Sequence, residues 1–322
     1  MKIDGSRILV TGANGFIGGW LSRTLLNEGA EVIGLARHPK NNLVLKLHRV
    51  DSEVKLQKAD ITSYKSILGV FKAAQPDAVV HLAAQSSARV MGNDMETFRV
   101  NIDGTVNALN ACLACGVENV VVASTWKVYE KQEKKIVDED DTLEANSVYA
   151  VSKTIMDVTS RAFAQTHNLN LAVTRCANVF GPIDLSTERL IPSTALKVFG
   201  GERPTIYNKS AKRDFIYAGD VAQAYLKILE RIEKKNVRCN AFNIASGKQR
   251  KVTEAVQKII GLCGSKIKPL IKSPPLRDGQ EPVFSVKKAA QALGWKAETP
   301  FNEGLKRTVE WIGENKALYL VK

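Results

Sequence analysis

RILVTGANGFIG, residues 7–18, is the stretch that decides the fold of this chain. Apolar, β-prone residues lead into glycines at 12, 15 and 18, and a helical pattern follows, which predicts a strand, a tight turn and a helix N-terminus. Gly12 permits the sharp turn, Gly15 lets a phosphate approach the backbone, and Gly18 lets the helix pack closely on the strand. The free N–H groups of that helix favour an anion. Because the spacing is G-x-x-G-x-x-G rather than G-x-G-x-x-G, we predict a related turn of different shape.

Short apolar runs and helical patterns alternate from this stretch to about residue 175. Such alternation predicts an α/β fold with a Rossmann-type, doubly wound parallel sheet. Ligands of such sheets lie beyond the carboxyl ends of the strands, so the residues after each run are the candidates for binding. The predicted strands cover residues 7–11, 31–35, 54–58, 78–82, 119–123 and 171–174.

The totals are those of a soluble globular protein, with 44% hydrophobic and 25% charged residues among 322. No apolar run approaches the length of a membrane span, and the first apolar stretch is a strand, so we expect neither a signal peptide nor a membrane partner. The net charge of +13 comes from basic residues spread along the chain. This distribution is typical of a solvated basic surface, and nucleic acid is an unlikely partner. Five cysteines without a framework spacing favour the reducing cytoplasm.

Residues after the predicted strands are candidates for holding a dinucleotide. Arg37 follows the second strand, where a basic side chain can pair with a ribose 2′-phosphate, so it favours NADP over NAD unless it is merely exposed. Asp60 and Ile61 follow the third strand, where an adenine would lie. His81 is expected to be a packed histidine, and the small residues after it leave space for a cofactor. The candidate cofactor-binding residues are Gly12, Asn14, Gly15, Phe16, Ile17, Gly18, Arg37, Asp60, Ile61, Leu82, Ala83, Ala84, Tyr149 and Lys153.

Tyr149 and Lys153 form the candidate catalytic pair. They are four residues apart in a helical pattern, so both lie on one helix face. A phenol with a reference pKa of about 10 is a poor base at neutral pH, and we expect a fixed ammonium nearby to lower that pKa. A hydroxyl from Ser124 or Thr125, at the end of the fifth strand, can hydrogen-bond both the phenol and a substrate.

The order of these motifs resembles that of the extended short-chain dehydrogenase/reductases, and within them the nucleotide-sugar epimerase/dehydratase family. The resemblance covers nearly the whole chain, and it implies the catalytic triad Thr125, Tyr149 and Lys153, with Ser124 as the second choice of hydroxyl. It also implies a homodimer that pairs helices 95–115 and 147–166. The matching segments are TGANGFIG, HLAAQ, ST-x-x-VY, YAVSK, RCANVFGP, RDFIYAGDVAQAYL and ALGW.

The same resemblance implies a nucleotide-diphosphate sugar as substrate and a division into two lobes. Asn178 and Arg213 would approach the diphosphate, Arg277 would supply a further cation, and no metal is expected. The whole set of implied substrate-binding residues is Gln85, Ser124, Thr125, Asn178, Arg213 and Arg277. The alternation of strands and helices fails past residue 178, where Pro and Gly become more frequent. The NAD(P)-binding Rossmann domain is therefore expected over 1–178 and 212–245, and the C-terminal nucleotide-sugar-binding lobe over 179–211 and 246–322.

The resemblance leaves more than one reaction open. Tyr149 would remove the proton of the sugar C4 hydroxyl while the nicotinamide takes the hydride. A 4,6-dehydratase also needs an acid and a base, which the family supplies as Asp-Glu directly after the catalytic Thr. Trp126 and Lys127 stand at those positions. Lys127 matches only the branch that acts on CDP-glucose, which has Asp-Lys there. A 4-epimerase needs no such pair, because its 4-keto intermediate is re-reduced on the other face, so epimerisation is the leading hypothesis.

The alternative is a 4,6-dehydratase, since an acid can come from elsewhere in the chain. A 4-keto-sugar reductase is third, and Arg37 favours it because such steps usually use NADPH. A non-catalytic NAD(P)- or RNA-binding member of the fold represents a different class, which the basic charge would suit. The intact Thr125, Tyr149 and Lys153 argue against that class.

Overall fold

The computed structural model describes residues 1–85, 93–273 and 281–320. Its strands are β1 Arg7–Thr11, β2 Glu31–Ala36, β3 Lys55–Lys58, β4 Ala78–His81, β5 Asn119–Ala123, β6 Ile136–Val137, β7 Asn170–Cys176, β8 Asn178–Phe180, β9 Thr205–Ile206, β10 Lys212–Tyr217, β11 Asn240–Ile244, β12 Gln249–Lys251, β13 Leu270–Ile271 and β14 Val283–Phe284. Its α-helices are α1 Phe16–Asn27, α2 Leu43–His48, α3 Tyr64–Ala74, α4 Asp94–Phe98, α5 Gly104–Ala114, α6 Val148–His167, α7 Leu190–Phe199, α8 Ala218–Arg231, α9 Val252–Leu262, α10 Lys287–Leu293 and α11 Phe301–Glu314.

A seven-stranded sheet in the order β11-β7-β5-β4-β1-β2-β3 forms the centre of the fold. All neighbouring strands are parallel. The order reverses direction between β1 and β4, which is the topological switch point of a doubly wound sheet. The predicted Rossmann-type α/β fold is confirmed, and each of the six predicted strands matches an observed one within a few residues.

Both faces of the sheet are covered by helices, which explains why its inner strands are mainly apolar, whereas the edge strand β3 is mostly exposed and polar. In β1, Ile8 and Val10 pack into one core together with α1 and α8. Leu9 points to the other face and packs with α3, α5 and α6. Since successive side chains of a strand point to opposite faces, such burial requires apolar residues at every position.

The C-terminal part of the chain adds small sheets above the carboxyl ends of the central strands. A three-stranded sheet has the order β12-β10-β8, and β9 pairs with β13 and β6 with β14. Phe180, Phe215, Tyr217 and Phe301 pack edge to face or tilted at its centre, with ring centroids 5.5–6.3 Å apart. In the described ranges, none of the helices has the length and apolar character needed to cross a membrane.

The helix predicted over 95–115 differs from the observed one. A π-helical turn, Arg99–Asp103, separates α4 from α5. Within it, the Asn101 side chain accepts a hydrogen bond from the Gln85 N–H at 2.7 Å and donates to the Ser152 hydroxyl at 2.9 Å. These tertiary hydrogen bonds hold Asn101 in the widened turn, and such turns occur mostly at functional sites.

Candidate active site

The glycine-rich turn after β1 forms a cradle that side chains would fill. Gly12 has a φ of +72°, and an added Cβ would lie 3.1 Å from the Ala83 nitrogen. An added Cβ at Gly18 would lie 2.8 Å from the Ala13 Cα and would collide with the Gly12 carbonyl oxygen. Gly15 directly precedes α1, so the free N–H groups of the first helical turn face this cradle. The turn therefore fits the pyrophosphate of a dinucleotide.

Gly18→Ala is expected to weaken NAD binding at least about tenfold, or ~1.4 kcal/mol. The new Cβ meets backbone atoms that have no side-chain freedom, so α1 has to shift away from the turn. The dissociation constant of NAD, measured by calorimetric titration, checks this. Gly69→Ala in α3 is the matched control, because an added Cβ there meets no atom within 4 Å. An unchanged NAD affinity in Gly18→Ala would show that the cradle is not the pyrophosphate site.

A hydrogen-bonded chain joins β1 to the loop after β4. Thr11 Oγ1 accepts from the Leu82 and Ala83 N–H groups, each at 3.1 Å, so its own hydrogen goes to His81 Nδ1 at 2.9 Å. His81 then donates from Nε2 to Thr105 Oγ1 at 3.1 Å. Burial lowers the pKa of His81 to about 3. His81 is therefore a neutral, packed histidine, as predicted, and it holds the loop close to the glycine turn.

The other predicted cofactor residues lie at the same end of the sheet. The Arg37 guanidinium is half exposed and lies 3.8 Å from the Glu96 carboxylate. Asp60 accepts from the N–H and hydroxyl of Thr62 at 2.9 and 2.8 Å, and the Asn14 amide donates to a carbonyl of the loop after β2 at 2.9 Å. Of the remaining candidates, Ile61 is buried, Leu82, Ala83 and Gln85 are half-buried, and Ala84 is exposed.

Residues predicted from separate parts of the sequence meet in one cleft of about 630 Å³ beyond the carboxyl ends of β5 and β7. Of the predicted triad, Thr125 and Tyr149 line the cleft, whereas Lys153 is buried and does not line it. The cleft also reaches the start of α1 and the C-terminal lobe. The predicted residues that line it are Phe16, Ile17, Ser124, Thr125, Tyr149, Asn178 and Arg213. Arg277 lies outside the described residues.

Tyr149 lies in the first turn of α6, which Ser147 caps by accepting from the Ala150 N–H at 3.3 Å. The Thr125 hydroxyl hydrogen-bonds to the phenol and, together with the positive charge of Arg189, opposes the effect of burial. Burial is the larger effect and raises the pKa of Tyr149 to about 12. The expectation that the pKa of the Tyr149 phenol is lowered is therefore wrong.

Lys153 explains the difference, because its ammonium group does not bond to the phenol. It donates to the Ala123 carbonyl at 2.5 Å and to the Met156 sulfur at 3.1 Å. Burial lowers the pKa of Lys153 to about 8, with the Asp157 carboxylate opposing. The ammonium thus ties α6 to the end of β5 and keeps Tyr149 and Thr125 in register.

A buried ion pair, which the sequence did not predict, anchors α6 one turn after Lys153. Asp157 accepts two hydrogen bonds from the Arg175 guanidinium, at 2.9 and 3.0 Å, and neither side chain is exposed beyond 1%. Arg175 also donates to the Tyr129 hydroxyl at 2.5 Å. Two features of the sequence could have indicated this pair. Asp157 lies one helical turn after Lys153, and Arg175 is the first residue of RCANVFGP.

A second missed residue, Glu281, lies behind the substrate side of the cleft. Its Oε2 accepts from the Asn178 amide at 2.7 Å and lies 3.7 Å from Arg213 Nε. The carboxyl group is completely buried, and burial raises the pKa of Glu281 to about 8. The structure therefore places Asn178 and Arg213 next to the same buried carboxyl group.

Two further cations along the cleft are paired with carboxylates. The Lys127 ammonium lies 3.7 Å from Glu130, and the Arg189 guanidinium lies 2.7 Å from Asp184. Arg189 also lies over the Phe16 ring, 5.4 Å from its centroid, and so connects the C-terminal lobe to the glycine-rich turn.

The chain is similar to known proteins over most of its length. The family model described as the NAD dependent epimerase/dehydratase family matches residues 8–245. The chain is 29% identical to UDP-glucuronate 4-epimerase of Thermodesulfobacterium geofontis, over 95% of this chain and 96% of that protein. It is also 29% identical to dTDP-glucose 4,6-dehydratase of Streptomyces niveus, over 97% of this chain and 94% of that protein.

A solved structure extends the similarity to the whole fold. UDP-glucose 4-epimerase of Thermotoga maritima, solved with UDP-glucose, superposes with a TM-score of 0.88 at 26% identity, covering 96% of this chain and 99% of that one. The glycine-rich cradle, the Thr125–Tyr149 contact and the family match over most of the sequence lead to one conclusion: this chain is an enzyme of the NAD-dependent epimerase/dehydratase family.

Proposed function

We propose that the protein is a nucleotide-sugar 4-epimerase. The observation that carries this proposal is the pair of residues after Thr125. Trp126 and Lys127 line the cleft there, so no carboxylic acid follows the hydroxyl that contacts Tyr149. An elimination of water needs an additional acid and base at the sugar, whereas a 4-epimerisation needs only the proton transfer that Tyr149 supplies, a held nicotinamide cofactor and room for the 4-keto intermediate to turn.

In the proposed reaction, the nucleotide sugar lies in the cleft with its C4 hydroxyl at Tyr149 and Thr125. A dinucleotide whose pyrophosphate is held by the glycine-rich turn would supply the hydride acceptor. Tyr149 in its phenolate form would accept the hydroxyl proton, with the Thr125 hydroxyl bonded to the phenolic oxygen. The positive charge of a bound nicotinamide would favour that form. The resulting 4-ketone is reduced on its other face and takes the proton back from Tyr149.

The alternative function is a nucleotide-sugar 4,6-dehydratase, the activity named for some of the relatives. One observation favours it. Glu188 is an exposed carboxylate on the rim of the same cleft, unlike Asp184, which is buried and paired with Arg189. An acid for the elimination would have to come from such a residue. A 4-keto-sugar reductase and a non-catalytic member of the fold are the remaining alternatives.

For the cofactor we propose NAD. Arg37 would favour the 2′-phosphate of NADP, but the Glu96 carboxylate lies 3.8 Å from its guanidinium and would repel that phosphate. Residues 1–178 and 212–245 are proposed to hold the cofactor, and 179–211 and 246–322 the nucleotide sugar. A cytoplasmic location is proposed as well, since the cysteines are all free.

A homodimer is also proposed, through α4 to α6. Met95, Ile155 and Val158 support it, because they leave apolar side chains exposed on these helices, with exposed fractions of 79%, 39% and 49%. Sedimentation equilibrium would measure the oligomeric state.

The decisive experiment is product analysis. The purified protein is incubated with UDP-glucose, UDP-glucuronate or dTDP-glucose and either NAD⁺ or NADP⁺, and the products are separated and weighed by mass spectrometry. An epimerase gives a product of unchanged mass and altered retention, with no net consumption of cofactor. Loss of one water would establish the dehydratase. In a separate incubation with NADPH and a 4-keto sugar, net oxidation of NADPH would establish the reductase.

A further inference from the structure

The buried carboxyl group of Glu281 accepts a hydrogen bond from Asn178, which lines the cleft. We infer that Glu281 is a positioning residue, which turns the NH₂ group of Asn178 inward and thereby leaves its amide oxygen to accept a hydrogen bond from a hydroxyl of the bound sugar. This inference rests on the proposed nucleotide-sugar substrate. It assigns Asn178 to the hexosyl group rather than to the diphosphate.

Both hydrogens of the Asn178 NH₂ group are used inside the protein. Nδ2 lies 3.0 Å from the Asp214 carbonyl oxygen and 2.7 Å from Glu281 Oε2. The Asp214 carbonyl oxygen can only accept a hydrogen bond, whatever the protonation state of Glu281. The Asn178 atom that faces this oxygen is therefore the donor Nδ2. The orientation of the amide is thus fixed, and Oδ1 is the side-chain atom left for a ligand in the cleft that Asn178 lines.

Glu281 is itself held rigidly. Its Oε1 accepts from the Asp214 N–H at 2.8 Å, and its backbone carbonyl accepts from the Gln249 side chain. These partners belong to β10 and β12, while Asn178 begins β8, and the three strands form one sheet. The Asp214 carboxylate is fixed in turn by the N–H and hydroxyl of Ser246, at 2.9 and 2.8 Å. The carboxyl group of Glu281 therefore serves as a fixed acceptor rather than a mobile ion.

The exposed atom decides which ligand group Asn178 can recognise. Phosphate oxygens only accept hydrogen bonds at neutral pH, so they gain nothing from an amide oxygen. A sugar hydroxyl can donate to it. The Arg213 guanidinium, which also lines the cleft, is the group with the charge and the donors that a diphosphate requires.

The position of Asn178 in the cleft favours the hexosyl group over the ribose. Asn178 follows the end of β7, which pairs in parallel with β5 up to Ala123, just before Thr125, and Asn178 lines the same cleft as Thr125 and Tyr149. The residue therefore lies on the side of the cleft that holds the catalytic phenol, where the reacting sugar has to bind.

Glu281→Gln tests the inference, because it keeps the shape of the side chain but replaces one of its two acceptor oxygens by an NH₂ group. The Asn178 amide and the Asp214 N–H, which both donate to Glu281, then share one acceptor oxygen. We expect the affinity for UDP-glucose to fall about tenfold, while the affinity for UDP, which lacks the hexosyl group, changes less than about twofold. Calorimetric titration of the NAD-loaded protein measures both. dTDP-glucose and dTDP replace this pair if they bind the wild-type protein more tightly. Glu254→Gln is the matched control, since Glu254 is exposed and pairs only with Lys251 within the described residues.

The retained affinity for UDP shows that a variant is folded, and Asn178→Ala gives a second test with the same expected pattern. Equal losses for UDP and UDP-glucose would overturn the inference, because they would place Asn178 at the nucleotide or diphosphate. Unchanged UDP-glucose affinity in both variants would also overturn it. A wild-type protein that binds neither nucleotide sugar more tightly than its nucleoside diphosphate would contradict the hydroxyl contact itself. Failure of the proposed function is distinct, since it would appear as a lack of turnover in the wild-type protein.

Discussion

Tyr149→Phe should lower kcat by about 10³-fold, because the variant has no hydroxyl to take the proton from the sugar. The ring and its packing at the start of α6 are kept, so the dissociation constant of NAD should stay within about twofold of the wild-type value. Turnover is measured with the nucleotide sugar that the wild-type protein converts, and NAD binding is measured by titration.

Tyr64→Phe is the control for this substitution. Tyr64 is 40% exposed on α3, on a different helix from the catalytic residues, and its loss of a hydroxyl should leave kcat unchanged. A Tyr149→Phe protein that keeps more than about a tenth of the wild-type kcat would show that another group removes the proton. Thr125, whose hydroxyl bonds to the phenol, would then be the next residue to replace.

Arg175→Ala should destabilise the protein by roughly 3–5 kcal/mol, because it leaves the buried Asp157 carboxylate without its main partner. The arginine contributes two hydrogen bonds to Asp157 and one each to the Tyr129 hydroxyl and the Glu139 carbonyl. The free energy of unfolding, measured by urea denaturation, checks the prediction. Since Asp157 lies one turn after Lys153 on α6, we also expect a lower kcat in the folded fraction.

Arg161→Ala provides a matched comparison for the same carboxylate. Arg161 also bonds to Asp157, at 3.0 Å, but its side chain is 34% exposed, so its removal should cost less than about 1 kcal/mol. Similar losses for the two variants would contradict the view that burial of the Arg175–Asp157 pair makes it important.

The sequence was sufficient for the central sheet because its pattern is local and redundant. The inner strands are short apolar runs that burial on both faces requires, and Gly12 and Gly18 have backbone roles that a side chain would disturb. The pairing of Tyr149 with Lys153 follows from helix geometry alone. The position of the cleft, which Thr125 and Tyr149 line, follows from the rule that ligands of such sheets bind beyond the carboxyl ends of the strands.

The details that the sequence did not predict depend on partners far along the chain. The π-helical turn is held by a hydrogen bond from Asn101 to Ser152, 51 residues away. The amide of Asn178 is oriented by Glu281, 103 residues away. No local sequence pattern predicts such contacts, because the two partners are neighbours only in the folded chain.

By itself, the sequence determined the doubly wound sheet, the glycine-rich turn and the placement of Tyr149 and Lys153 on one helix face, since local spacing and backbone sterics specify all three. Only the tertiary structure decided the chemical surroundings of those two side chains. Burial sets the pKa of Tyr149 and Lys153, and the ammonium of Lys153 bonds to the Ala123 carbonyl instead of the phenol. Charge and hydrogen bonding depend on the surroundings in three dimensions, and those surroundings exist only once distant segments have packed together.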